Sequence, residues 1–236
     1  MGLKVEIVTL FPHFFDGVFT ESMMGRAQKF GAVDIVIHDL RRYATDKHHQ
    51  ADGYLYGGGA GMLLKPEPLF RVLKEITETA DIRPLIIYPT PQGKSFQQAD
   101  ADRLAHHHHL IFLCGHYKGI DQRVVERWVD REYSLGDFVV TGGEIAVTAM
   151  VDSIVRLLPG VLGDFDSART DSFRSDRLDC PHYTRPEEFE ELAVPSVLMS
   201  GHHRNIEHWR RIMAKLLTKR RRPDLLKKNK QNSEKV

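Results

Sequence analysis

Apolar residues along this chain fall into short runs separated by polar stretches rich in glycine and proline. Residues 4–10 (Lys-Val-Glu-Ile-Val-Thr-Leu) predict a buried strand that ends at Phe11-Pro12. Residues 14–30 mix aromatics and Met with polar residues and predict a helix closed by Gly31. Val33 to His38 reads as a second strand, and Arg41 to Tyr56 as polar and irregular. Pro66 to Ala80 predicts a helix, with Pro near its start and Leu69, Val72, Leu73 and Ile76 at helical spacing. Further strands are expected at 84–88, 110–114 and 138–140, and helices at 96–105, 123–129 and 145–158. The histidine run His106–His109 is expected in an exposed loop or helix end. Strands alternating with helices predict an α/β fold, with a mostly parallel sheet covered by helices on both faces. Strands 85–88, 110–114 and 138–140 each run into a Gly- or Pro-bearing loop. Ligands in such sheets gather at the carboxyl ends of the strands.

The pattern changes after Pro159-Gly160. Residues 161–179 are polar and turn-rich, which predicts a mobile interdomain linker between a 1–160 domain and a 180–236 domain. Residues 180–186 read as ordered but irregular, and from Glu187 the pattern turns helical with a break at Ser200-Gly201. A basic helix is expected from about Asn205 to Lys219, followed by a disordered end. The overall charge of +1 conceals an asymmetry. From Gly201 onward there are 12 Lys+Arg against 3 Asp+Glu, so +9, and the first 200 residues carry −8. A basic end on an acidic body suggests a polyanion partner, against the plainer alternative of a solvated helix. No apolar run approaches the roughly 20 residues needed to span a bilayer, and the first residues do not form a signal peptide. With two cysteines, Cys114 and Cys180, a reduced cytoplasmic protein is expected.

Candidate chemistry concentrates around Ser134 to Glu144. There Leu135, Gly136, Asp137, Phe138, Val139 and Val140 run into Gly142-Gly143. Glycines flanking an apolar stretch let a ligand approach bare peptide groups. Tyr56-Gly57-Gly58-Gly59-Ala60-Gly61-Met62 marks another loop, but it fits no dinucleotide fingerprint. Gly93-Lys94-Ser95 lacks the upstream glycine of a phosphate loop, since Tyr88 holds that position. Cys114 with His116 and Cys180 with His182 carry zinc-ligand types at tighter than usual spacing, so metal is not assigned. Asp171 lies in the polar segment where a carboxylate can act as a base, and Arg156 on an otherwise apolar helix face. From pattern alone the structural roles, an N-cap and an ion pair, are favoured for these two.

Four stretches together are specific: 56–62, Cys114-Gly115-His116-Tyr117-Lys118-Gly119-Ile120-Asp121, 134–144, and Leu178-Asp179-Cys180-Pro181-His182-Tyr183-Thr184-Arg185-Pro186. With them, nearly the whole chain resembles the bacterial tRNA (guanine-N1)-methyltransferases of the SPOUT superfamily. The resemblance implies a deep trefoil knot at the end of the α/β domain, followed by a small helical C-terminal domain. It implies S-adenosylmethionine held by Tyr88, Pro91, Gly115, Leu135, Gly136, Asp137, Phe138, Val139, Val140, Gly142 and Gly143. It implies Asp171 as general base, Arg156 as the cation beside guanine O6, and Asp179, His182, Ser200 and His202 around the substrate. The expected product is methylated N1 of the guanosine at position 37, just 3′ of the anticodon. The expected partners are tRNA and a second copy of the chain sharing its active sites, with no membrane; a divalent ion is left open. A non-catalytic RNA-binding protein is the alternative. Lys118 stands where the family usually has Glu, and Ala146 where Pro is common, so position 118 is not carried over as a donor contact.

Overall fold

The computed structural model describes residues 2–162 and 170–226. The chain forms two compact units, Met1–Gly163 and Asp164–Val236. The expected mobile linker at 161–179 lies partly, at 163–169, outside the described residues. The last ten positions, expected to be disordered, lie outside them altogether.

The first unit is built on strands β1 (Leu3–Thr9), β2 (Val33–Asp39), β3 (Asp52–Tyr54), β4 (Met62–Leu64), β5 (Leu85–Ser95), β6 (His109–Leu113) and β7 (Arg131–Ser134). Five of them form one sheet in the order β2-β1-β6-β5-β7, and every pairing is parallel. Helices α1 (Ser22–Lys29), α2 (Pro66–Thr79), α3 (Gln98–Leu104), α4 (Gln122–Trp128) and α5 (Gly143–Val155) cover it. The near-continuous apolar runs of β1 and β6 follow from burial on both faces. Leu110 and Phe112 of β6 face a core made with α1, α3 and α5, while Ile111 and Leu113 face one made with α2 and α4. That is the two-residue alternation of a strand between two helical layers.

Several expectations are corrected. The single helix over 14–30 is a 3-10 turn at Pro12–Phe15 followed by α1, with Ser22 at φ 50°. The interruption lets the rings of Phe15 and Phe19 stack at 5.2 Å in the core. The "irregular" 41–56 contains β3, which pairs with β4 as a hairpin around the Gly57–Gly61 loop. The strand expected at 138–140 is loop; the parallel strand is β7, just before it. Phe138 and Val139 are exposed, so their apolar character serves a surface and not a sheet. In the second unit, the helix expected from Glu187 begins instead with a hairpin of Glu188–Phe189 and Leu192–Ala193. Glu190 and Glu191, both at positive φ, make its turn. The break at Ser200-Gly201 is present, with Gly201 at φ +69°, and the long basic helix spans His203–Arg221.

His109 also departs from its expected place in an exposed loop. It is buried at the start of β6, where its Nε2 donates to Glu6 Oε1 at 2.9 Å. Glu6 is 3% exposed and also accepts from His38 Nε2 and, at 2.7 Å, from Lys4 Nζ. Burial alone would raise the Glu6 pKa, but the hydrogen bonds from His38 and Lys4 outweigh it and bring it from 4.5 down to about 2. A carboxyl lowered on folding stabilises above its unfolded pKa, and loses that contribution as pH falls through the folded value. The network is therefore expected to contribute roughly 3 kcal/mol at neutral pH. Glu6→Gln should lose most of that at pH 7 in urea melts, and the gap to the native chain should narrow between pH 4.5 and about 2. A gap that is constant across that range would remove the carboxylate from the explanation.

Candidate functional site

The irregular middle of β5 and the carboxyl ends of β6 and β7 enclose a cavity of ≈ 350 Å³. That is the size of a small-molecule site, at the sheet edge where such sites form. Its walls are Tyr88–Gln92 of β5, the Gly115–Gly119 loop after β6, and the segment from Ser134 to Gly143 after β7. The walls are held together through backbone. Gly143 N donates to Gly115 O at 2.8 Å, and His116 forms bridges with Gly142 and Gly119. A Cβ on Gly143 would stand 2.9 Å from Cys114 Cα and from Gly115 N, so only glycine permits this approach. Gly119, at φ +114°, closes against the Tyr88 hydroxyl in the same way. Tyr88 is 7% exposed; burial raises its phenol pKa, opposed by hydrogen bonds at the Ile120 backbone and the Thr90 side chain.

Behind the wall, Glu144 in the first turn of α5 is buried, and Thr9 Oγ1 donates to its Oε1 at 2.7 Å. Leaving a buried polar group without such a partner costs about 1–3 kcal/mol. Burial, and then the Glu144 charge, push the Cys114 thiol well up, which keeps it from acting as a nucleophile.

Of the residues expected to hold the donor, ten line this cavity: Tyr88, Pro91, Gly115, Leu135, Gly136, Phe138, Val139, Val140, Gly142 and Gly143. Asp137 is exposed and does not. Arg156 is half-buried, but it caps the C-terminus of α5 instead of standing on an apolar helix face. A cation there suits the helix dipole. Asp171 is half-buried in a turn of the second unit, where its carbonyl accepts from Arg174 N at 3.3 Å.

In the second unit Asp179 and His182 meet, Nε2 donating to Oδ2 at 2.8 Å. Cys180 N donates to Asp179 Oδ1 at 2.6 Å. Both side chains line a hollow of ≈ 370 Å³ shared with Arg177, Arg210 and Arg211. Asp179, Cys180 and His182 bring their potential ligand atoms within 4.8 Å of one another. The hydrogen bonds within this group and the arginines around it make it a poor cation site. Ser200 and His202 stand apart from that hollow, at the start of the helix His203–Arg221, where His202 N donates to Ser200 Oγ at 3.3 Å.

The family model described as tRNA (Guanine-1)-methyltransferase TrmD matches residues 3–228. The chain belongs to this family. A relative from Anoxybacillus flavithermus, named tRNA (guanine-N(1)-)-methyltransferase, is 49% identical over 224 residues, covering 95% of this chain and 91% of its own. Relatives of the same name from Bacillus cereus and Bacillus anthracis are 48% identical over 224 residues, covering 95% of this chain and 92% of theirs. Against this family background, the cavity walls include residues that sequence reasoning left out, among them Thr90, Gln92, His116, Tyr117 and Lys118. The motif Cys114 to Asp121 held the signal for three of these, since a loop closed by Gly115 and Gly119 presents all that lies between. Lys118, whose charge argues against a donor contact, packs its stem 3.1 Å from the Cβ position of Gly61, at the cavity edge. Among the described residues, no helix is long and apolar enough to cross a membrane.

Proposed function

We propose that this chain transfers a methyl group from S-adenosylmethionine to N1 of the guanosine at position 37, just 3′ of the anticodon, in tRNA. The observation that carries the donor reading is the glycine-walled cavity formed by three neighbouring parallel strands and the loops after two of them, in a chain of this family. Its glycine walls allow close approaches between the loops that any side chain would block, and its apolar segment Phe138 to Val140 suits a ligand with an adenine ring. The donor-holding residues are Tyr88, Pro91, Gly115, Leu135, Gly136, Phe138, Val139, Val140, Gly142 and Gly143, with Asp137 at the exposed edge. When bound, S-adenosylmethionine supplies an activated methyl group on a sulfonium.

The chain's own residues do the rest. Guanine N1 carries a proton at neutral pH, and Asp171 takes it. Negative charge then develops towards O6, and Arg156 offsets it. Asp179, His182, Ser200 and His202 hold the substrate. The exposed cations of the helix His203–Arg221 grip phosphates without reading sequence. A homodimer builds each active site from both subunits, with the donor bound in a trefoil knot and a helical C-terminal domain on the tRNA. Exposed Phe138, Val139 and Ile145 support a second copy covering this face. The work is cytoplasmic, where tRNA is found. The test is incubation of the purified chain with labelled donor and tRNA, followed by nucleoside analysis. N1-methylguanosine at position 37 is expected; tRNA binding with no methyl transfer would make this a non-catalytic RNA-binding protein.

A further inference from the structure

His116 carries a ring nitrogen that no described residue satisfies. Its Nδ1 is buried and has no hydrogen-bond partner among the described residues. The ring is held in place, 4.9 Å from that of Phe11 and edge-on to that of Tyr117 at 4.5 Å. It lines the cavity and bridges Gly142 through its backbone. A second polar group converges on the same place. A Cβ on Gly142 would stand 2.7 Å from His116 Nδ1, and closer still to Glu144 Oε2. Gly142 is thus a cavity wall with an unpaired imidazole nitrogen and a buried carboxylate oxygen against it, not bonded to each other. Thr9 already holds the other oxygen of Glu144 from behind.

Orphaned buried polar atoms are rare and call for an explanation. Hydrogen bonds at functional sites are often long before ligand binds and tighten in the complex. We infer that ligand entry brings His116 Nδ1–H into a hydrogen bond with Glu144 Oε2, locking the Gly115–Gly119 loop onto the N-terminus of α5. His116 is then a positioning residue for the donor cavity, and touches none of the reacting atoms. The inference rests on the donor reading above.

Side-chain geometry supplies the test. Asparagine at 116 places an amide nitrogen where histidine has Nδ1, glutamine places it where histidine has Nε2, and leucine offers neither. S-adenosylhomocysteine is titrated calorimetrically into the native chain, H116N, H116Q, H116L, E144Q and the H116L/E144Q double variant, with melting temperatures measured alongside. H116L and H116Q should bind about tenfold more weakly, H116N should recover most of that loss, and the double variant should lose little more than H116L alone. H116L binding within about threefold of the native chain, equal losses in H116N and H116Q, or additive losses in the double variant overturn the proposal. Should H116L fail to fold, the two polar variants decide by themselves. A native chain that binds no S-adenosylhomocysteine overturns the donor reading and this inference with it; native binding with indifferent variants overturns this inference alone.

Discussion

Asp171→Asn is expected to slow methyl transfer by about 10²–10⁴-fold, the usual contribution of a positioned general base. Affinity for tRNA and for S-adenosylhomocysteine should stay within about threefold of the native values, because the substitution keeps shape and removes only the ability to take a proton. The acceptor sets the requirement for a base. A protonated guanine N1 has no free lone pair, so alignment with a sulfonium methyl cannot by itself make it a nucleophile. Asp171 is half-buried in a turn, two residues from Phe173 at φ 74°. Single-turnover rates with both ligands saturating separate chemistry from binding. Full turnover with unchanged tRNA affinity would take the base role away from Asp171.

Arg156 shows how a helix boundary changes what the sequence says about a cation. The pattern places it on an apolar helix face, which makes its charge look costly. The structure places it one residue past α5, as the cap, where the last carbonyls of the helix favour a cation. Carrying the helix to 158, three residues past its end at Val155, turned a half-buried terminus into a face. The strand placed at 138–140 arose in a related way. Phe138, Val139 and Val140 are apolar because they line a cavity and lie at the surface, and a short apolar run cannot by itself distinguish that from a buried strand. β7 escaped notice because its four residues carry Arg131 and Glu132, as an edge strand can.

The long buried runs of β1 and β6 and the glycine loops were legible, since each has one physical cause: burial on both faces for the strands, close backbone approach for the glycines. The Glu6 network was not, because it joins β1, β2 and β6 across more than 100 residues and no local pattern marks it. The orphan on His116 is invisible for the same reason: it exists only where Gly142 and Glu144 come to meet it.

Gly143→Ala should damage the cavity. The added Cβ would lie 2.9 Å from Cys114 Cα and Gly115 N and 3.2 Å from Cys114 C, all of them backbone atoms that cannot rotate aside. The end of β6 and the start of α5 must therefore separate, and the 2.8 Å hydrogen bond from Gly143 N to Gly115 O stretches or breaks. Overpacking of this kind costs about 1–3 kcal/mol, read as a lower unfolding midpoint. The larger effect falls on the ligand, because Gly115 and Gly143 both line the cavity. S-adenosylhomocysteine affinity should drop by more than about tenfold, a difference of about 1.4 kcal/mol or more. Gly17→Ala is the control: nothing lies within 4 Å of its added Cβ, and stability and affinity should both stay near native. If Gly143→Ala binds S-adenosylhomocysteine as well as Gly17→Ala does, the contact between these two backbones is not what shapes the donor site.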